Sequence, residues 1–216
     1  MQKFSNKVAF ISGGTAGVDL ATAKVLIDQG AQVIFTGRYR ETVSETEQEL
    51  GPSAKGIVSN ASNMRDVMEL RKRVSNISPK IDILFANAGY GKFAPIEAVS
   101  EEQFDELFDV LVKGTFFTIQ QLLPLINEGG SIILNTSVVT AYGSKNASLY
   151  SAAKAAVQSL VKTLAAELTE KKIRVNGVSP GYTETLGFSK TGMSEDQIKQ
   201  VKAYITPNLP FQPFAD

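Results

Sequence analysis

The stretch "VAFISGGTAGVDLATAKVL", residues 8–26, sets how the rest of the chain is read. Residues 8–12 form an unbroken apolar run of strand length, Gly13, Gly14 and Gly17 fall in the turn that follows, and a helix-patterned segment resumes at Val18. Glycine permits a tight turn and lets backbone N–H groups approach a phosphate at the helix N-terminus, where the helix dipole also favours negative charge. A glycine cluster alone is equally at home in a plain structural turn. Its place between a strand and a helix, at the head of an alternating array, makes this one a nucleotide turn. One residue disagrees: where a third glycine would complete the pattern, the sequence has Asp19, a carboxylate at the mouth of a site built for anions.

Further along, apolar runs of strand length alternate with longer helix-patterned segments. The strands are expected at 7–12, 32–37, 54–59, 81–86, 131–137 and 173–179, rich in Val, Ile and Phe and mostly continuous rather than alternating, as in a parallel sheet covered on both faces. Helices are expected at 18–29, 41–50, 64–76, 104–126 and 152–170. A βα period of ~30 residues predicts right-handed crossovers and an α/β fold, a Rossmann-like doubly wound parallel sheet of about six strands with helices on both faces. With no linker, repeat or low-complexity tract, residues 1–216 are read as a single domain. After Pro180-Gly181 the pattern changes. A segment rich in Gly, Ser, Thr and Lys leads to an amphipathic helix expected at 194–205, with Ser194 as N-cap and Gln197 at the capping-box position. The chain then runs out through "TPNLPFQPFAD".

The 216 residues suffice for one substantial core, and 43% hydrophobic with 20% charged residues is an ordinary soluble composition. Lys+Arg and Asp+Glu balance at 22 each, which gives no basic footprint for nucleic acid or an anionic membrane. No window resembles a secretory signal or a spanning helix, so a cytoplasmic location is the default expectation. The chain has neither cysteine nor histidine. Disulfides, thiolate nucleophiles, cysteine and histidine metal sites and Ser-His-Asp hydrolysis are thereby excluded, and acid–base chemistry near neutral pH falls to a tuned Tyr, Lys, Asp or Glu.

The segment "TSVVTAYGSKNASLYSAAKAAV" supplies such a group. Tyr150 and Lys154 stand four residues apart, on one helical face. A lysine ammonium near a phenol favours the phenolate, lowering the tyrosine pKa, and the phenol can then exchange a proton with a carbonyl or an alcohol. Ser137, at the end of the fifth strand, can hydrogen-bond the same substrate oxygen. A Tyr-x-x-x-Lys pair alone usually marks a surface helix face. Its combination with Ser137 and the nucleotide turn gives it weight. The second strand ends in Thr36-Gly37-Arg38, with no acid to bind a ribose 2′-OH. A guanidinium there can pair with a 2′-phosphate, so NADP is favoured and NAD is the less expected cofactor. A solvated loop arginine is the plain alternative, and Arg40 could share the role.

These features together resemble the short-chain dehydrogenase/reductase family, over almost the whole chain from about Lys3 to Asp216. The resemblance rests on the Gly-rich turn, "ANAG" at 86–89, "KGTFF" at 113–117, Ser137 followed at the family spacing by Tyr150 and Lys154, and "IRVNGVSPG" at 173–181. It implies hydride transfer between a nicotinamide and a carbonyl or alcohol carbon of a small molecule. Tyr150 would be the general acid/base and would also border the cofactor, Lys154 would lower its pKa and bind the nicotinamide ribose, and Ser137 would orient the substrate oxygen. Gly13, Thr15, Ala16, Gly17 and Val18 would line the phosphate and adenosine-ribose side, with Arg38, Asn60 and Ala61 further along the adenosine. Asn87, Ala88 and Gly89 would border the cofactor at the end of the fourth strand, and Pro180, Gly181, Thr183 and Thr185 would meet its nicotinamide end. The helices 104–126 and 152–170 resemble the faces through which the family forms homodimers, although plain core packing also accounts for "FFTIQQLLPLI".

Four departures from the family pattern bear on activity. Asp19 replaces the third glycine. If its carboxylate sat ~5 Å from the pyrophosphate, two unit charges at an effective dielectric of ~20 would repel by about 3 kcal/mol. Turned outward, it would only favour the helix N-terminus. Leu111 falls where the family has an asparagine that supports a proton relay, and leucine neither donates nor accepts. Asn60 replaces an aspartate that contacts the adenine amino group, a mild change because the amide oxygen is still an acceptor. Finally, family members usually continue beyond Asp216 with a helix and a seventh strand, so the sixth strand is expected to be an exposed edge. The expected activity is that of an attenuated NADP(H)-dependent oxidoreductase. The alternative is a catalytically impaired relative that binds a dinucleotide or a protein partner.

Overall fold

The computed structural model describes residues 2–181 together with Thr183, Asp196 and Lys199. Apart from Asp196 and Lys199, the expected helix at 194–205 lies outside the described residues, as do the "TPNLPFQPFAD" segment and Thr185. Six strands, β1 (Val8–Ser12), β2 (Gln32–Gly37), β3 (Ala54–Val58), β4 (Ile81–Ala86), β5 (Ile126–Asn135) and β6 (Arg174–Val178), form one parallel sheet in the order β3-β2-β1-β4-β5-β6. The chain builds outward from β1 through β2 to β3, then crosses back to place β4 on the other flank of β1. The strand order therefore reverses between β1 and β4. A crevice opens outside their carboxyl ends, where open α/β sheets hold their ligands.

Strand periodicity sorts the core into two layers. Phe10, Ile34, Leu84 and Ile132 pack on one face with α3 (Met64–Met68), α4 (Leu70–Ser75), α6 (Thr115–Leu122) and α7 (Ser148–Glu167). Ala9, Ile11, Val33 and Phe35 face α1 (Gly17–Asp28) and α2 (Arg40–Leu50) on the other. Because both faces are covered, the strands read as continuous apolar runs. The sixth strand is an edge among the described residues, with Arg174 and Asn176–Val178 exposed.

Three helices depart from expectation. The segment expected at 64–76 is two short helices, broken at Glu69. The segment expected at 104–126 begins earlier, as α5 (Glu101–Phe108), because Ser100 and Gln103 form a reciprocal capping box. It passes through a π-helical turn at Asp109–Gly114, resumes as α6, and ends in a tight turn at Leu123–Leu125, where Pro124 cannot continue the ladder. Ile126, expected to close that helix, instead opens β5. The fifth strand starts five residues before the expected 131 and pays out its surplus in a register shift against β4 between Ile81 and Ile83. Helix α7 starts at Ser148, not 152, so Tyr150 sits in its first turn.

Candidate active site

The glycine turn is held open by backbone geometry that only glycine adopts without strain: Gly13 at φ +84° and Gly17 at φ +59°. Gly13 N–H donates to Thr36 Oγ1 at 3.1 Å, which fixes the turn to β2. Ser12 Oγ accepts from the N–H groups of both Asn87 and Ala88 at 3.0 Å, joining β1 and β4 where they part. A side chain at Gly13 would stand 3.0 Å from Ala88 Cα, so the two strand ends approach as closely as backbone allows. The first turn of α1 begins at Ala16 with no side-chain cap, which leaves its first N–H groups without a side-chain partner. Thr15, Ala16, Gly17 and Val18 lie on this turn, opposite Asn87, Ala88 and Gly89 at the end of β4. A backbone-lined cradle of this kind fits a dinucleotide pyrophosphate. Ser12 and Thr36, which secure it, carry no sequence motif; only their position at strand ends beside glycines marks them.

Asp19 turns inward. It is 8% exposed, receives a hydrogen bond on Oδ1 from Asn87 Nδ2, and holds Oδ2 3.4 Å from where a Gly13 Cβ would stand. The outward orientation considered from sequence is not adopted. Burial pushes its carboxyl up to about 8, against the Asn87 hydrogen bond and the field of Lys154, which favours the neutral form. The repulsion of about 3 kcal/mol reckoned for two full charges applies only to the ionised carboxyl.

Tyr150, Lys154 and Ser137 converge at the end of β5 and the start of α7. Lys154 is buried and donates to the Asn135 carbonyl at 2.8 Å, with its Nζ 5.8 Å from the centre of the Tyr150 ring. Burial pushes its ammonium down to about 8, partly offset by Asp19. Tyr150 runs against the sequence expectation: its pKa is raised. Burial dominates, the Ser137 hydroxyl pulls the other way, and Lys154 points to a carbonyl rather than to the phenol oxygen. Ser137 is buried in the turn that leads into Val138–Thr140. Asn135, whose carbonyl anchors Lys154 and whose own Oδ1 is buried without a partner, was not flagged by any sequence pattern.

Around this centre, Val138 N–H donates to Pro180 O at 3.2 Å, which brings Pro180 and Gly181 beside Ser137. The Thr183 hydroxyl lies 3.5 Å from Gly181 O. Phe93 meets the Tyr150 ring edge-on at 5.3 Å, and Ala94 N–H donates to Asn146 O, so the segment after Gly89 closes against the loop before α7. Leu111 sits in the π-helical turn, buried with Leu107, Leu149 and Ala153, and its Cδ2 occupies the space a Gly89 side chain would need. It packs as core. On the adenosine side, the Arg38 guanidinium lies over the Tyr39 ring. The Asn60 amide oxygen takes both the N–H and the hydroxyl of Ser62, so the acceptor expected to face adenine is already engaged in a local turn. The Ala61 carbonyl lies against Gly114, where a side chain would come within 2.3 Å of it.

Comparison with known proteins agrees with this geometry. The family model described as short chain dehydrogenase matches residues 7–196. The oxidoreductase asL5 of Sarocladium schorii is 35% identical over 201 residues, covering 92% of this chain and 80% of that protein. Among solved structures, the 3-ketoacyl-(acyl-carrier-protein) reductase from Brucella melitensis complexed with NADH superposes with a TM-score of 0.84 at 28% identity, covering 94% of this chain and 84% of that one. The Pseudomonas aeruginosa RhlG/NADP active-site complex does so with a TM-score of 0.84 at 26% identity, with the same coverage of both chains. A six-stranded parallel sheet, a glycine-lined crevice at its switch point and matches of this extent lead to one conclusion: the chain belongs to the short-chain dehydrogenase family of oxidoreductases, which use nicotinamide cofactors.

Proposed function

We propose that this protein exchanges a hydride between NADP(H) and a small carbonyl or alcohol substrate, at a reduced rate. The convergence of Ser137, Tyr150 and Lys154 beside the switch-point crevice carries the reading. When bound, the nicotinamide supplies the hydride. The chain's own residues supply the proton and the geometry. Tyr150 gives its phenolic proton to the carbonyl oxygen during reduction and takes one back during oxidation. Ser137 shares a hydrogen bond with that oxygen and fixes the carbonyl against the phenol. Lys154, pinned by Asn135 O, would offer a donor to the ribose of a bound cofactor and sets its ammonium 5.8 Å from the centre of the Tyr150 ring. Phe93 walls the reacting end with an apolar surface.

Arg38, directly after β2 with no acid at the strand end, supports the 2′-phosphorylated cofactor. Relatives of this fold are seen with NADH and with NADP, so that preference rests on Arg38. Leu111 supports attenuation, because no hydrogen-bonding chain to Lys154 can pass through a buried leucine. The same residue favours a second reading, a cofactor-binding protein without turnover. Exposed Phe104 and Phe116, with the apolar groove along Phe108, Val112, Ala156 and Leu160, support a homodimer through α5, α6 and α7. The test is to give purified protein NADPH and a panel of ketones and aldehydes. Loss of NADPH absorbance that Tyr150→Phe abolishes is expected. Decay no faster than in that variant would remove the catalytic reading, and NADPH binding without decay would establish the second.

A further inference from the structure

Among the described residues that line the crevice, Asp19 is the one carboxyl, and its surroundings do not suit a charge. It stands in the first turn of α1, where the helix dipole favours an anion, yet it is folded beneath the glycine turn and only 8% exposed. Only Oδ1 has a donor, Asn87 Nδ2; among the described residues Oδ2 has none. The neighbouring Asn87 Oδ1 is itself buried without a partner, so acceptors outnumber donors around the carboxyl. No lysine or arginine among the described residues lies within ion-pairing distance of it. Lys154, reaching in from α7 with Tyr150 one turn before it, is the charged group that acts on Asp19. The other elements packed there present Ser12, Gly13, Asn87 and Ala88, none of them titratable. A largely buried carboxyl with one donor and no ion pair among the described residues favours its neutral form.

The oxygen that lacks a donor faces Gly13, on the turn that would cradle a pyrophosphate. A neutral carboxyl there is a small dipole. An ionised one adds a charge of the same sign as the ligand in a poorly solvated cleft. We propose that Asp19 makes dinucleotide binding proton-linked, so that the crevice accepts the anionic cofactor with the Asp19 carboxyl neutral and resists it once the carboxyl ionises. This inference rests on the proposed cofactor site. Its consequence is that binding at alkaline pH draws a proton from solvent onto the protein.

The test titrates NADPH and NADH into the full chain and into Asp19→Asn and Asp19→Gly, by calorimetry, from about pH 6 to about pH 9. Asparagine keeps the shape of the neutral acid and leaves Lys154 in place, so whatever decline it shows belongs to Lys154. Wild type is expected to lose about tenfold more affinity than Asp19→Asn between about pH 7 and pH 9, for a carboxyl that titrates at about 8. It should also take up a proton at the alkaline end, read from the dependence of binding heat on the buffer. Parallel pH profiles for wild type and Asp19→Asn would overturn the proposal. Failure of all three proteins to bind either cofactor at any pH would instead overturn the cofactor site and this inference with it.

Thermal unfolding without cofactor gives an independent readout. The folded carboxyl titrates above its unfolded value of 3.8, so its contribution to stability is full below that value and is lost as pH rises toward about 8. The melting temperature of Asp19→Asn should therefore gain on wild type between about pH 5 and pH 8. A constant gap across that range would overturn the proposal whether or not cofactor binds.

Discussion

Tyr150 is a phenol whose burial holds it protonated, and this decides the direction of its chemistry. A proton donor serves carbonyl reduction at once; alcohol oxidation needs the phenolate. Because the pKa is shifted upward, the reduction rate should stay level across the neutral range and decline only well into alkaline pH, while the oxidation rate should climb with pH over the same span. Initial rates in both directions against pH check this; an oxidation rate that levels off below neutrality would refute it. Tyr150→Phe should cut turnover by at least ~10²-fold with a smaller effect on NADPH affinity, since the phenol moves the proton and is one of many groups expected to border the cofactor. Leu111 offers the converse experiment. Replacing it with asparagine puts a donor and an acceptor in the π-helical turn but buries an amide among Leu107, Leu149 and Ala153. We expect kcat to rise and thermal stability to fall by about 1–3 kcal/mol, with cofactor affinity unchanged. Steady-state kinetics beside a melting curve separate the two effects.

At the scale of elements, the break between α5 and α6 shapes the site. The π-helical turn at Asp109–Gly114 widens the helix by one residue and presses Leu111 onto Gly89 and Gly114 onto Ala61. Both glycines are contact points, but their partners differ in what they can yield. A Cβ at Gly89 would meet the tip of a leucine side chain, whereas one at Gly114 would meet a backbone carbonyl. Gly114→Ala should therefore cost more stability than Gly89→Ala, by about 1–3 kcal/mol, and Leu111→Ala should relieve Gly89→Ala but not Gly114→Ala. Urea denaturation of the single and double variants measures it.

The strands were legible because a doubly covered parallel sheet writes itself as uninterrupted Val, Ile and Phe. The Tyr150–Lys154 pairing was legible because helical spacing alone places the two residues together. The π-helical turn was not, since "FDVLVKGTFF" has apolar residues enough for one straight helix and the break depends on what packs against Gly114. Nor was the direction of Asp19 or the partner of Lys154. Both are settled by residues far off in sequence, Asn87 and Asn135, that no local pattern ties to them.

Across the whole molecule, the ligand-facing features gather at the carboxyl ends of the strands, and the flank formed by α5, α6 and α7 is left with an apolar surface. Phe104 stacks on Phe108 at 4.4 Å and remains 45% exposed, and Phe116 is 40% exposed beside it. If two copies join there, Phe116→Asp should convert the sedimenting species from dimer to monomer without altering the crevice. Equal sedimentation of both proteins would argue against that face.

The register shift between β4 and β5 lies at the opposite pole. Residues 127–130 loop out of the sheet between its paired segments, with Glu128 and Gly129 exposed, Gly129 at φ +80°, and the loop fastened by Asn127 to Asp82 and by Gly129 N–H to Lys172 O. The molecule thus carries a natural attachment point on the side away from the proposed crevice. A tethering peptide spliced between Glu128 and Gly129 should anchor the protein to a surface with the crevice facing solution, and NADPH affinity on that surface should match the value for the free protein.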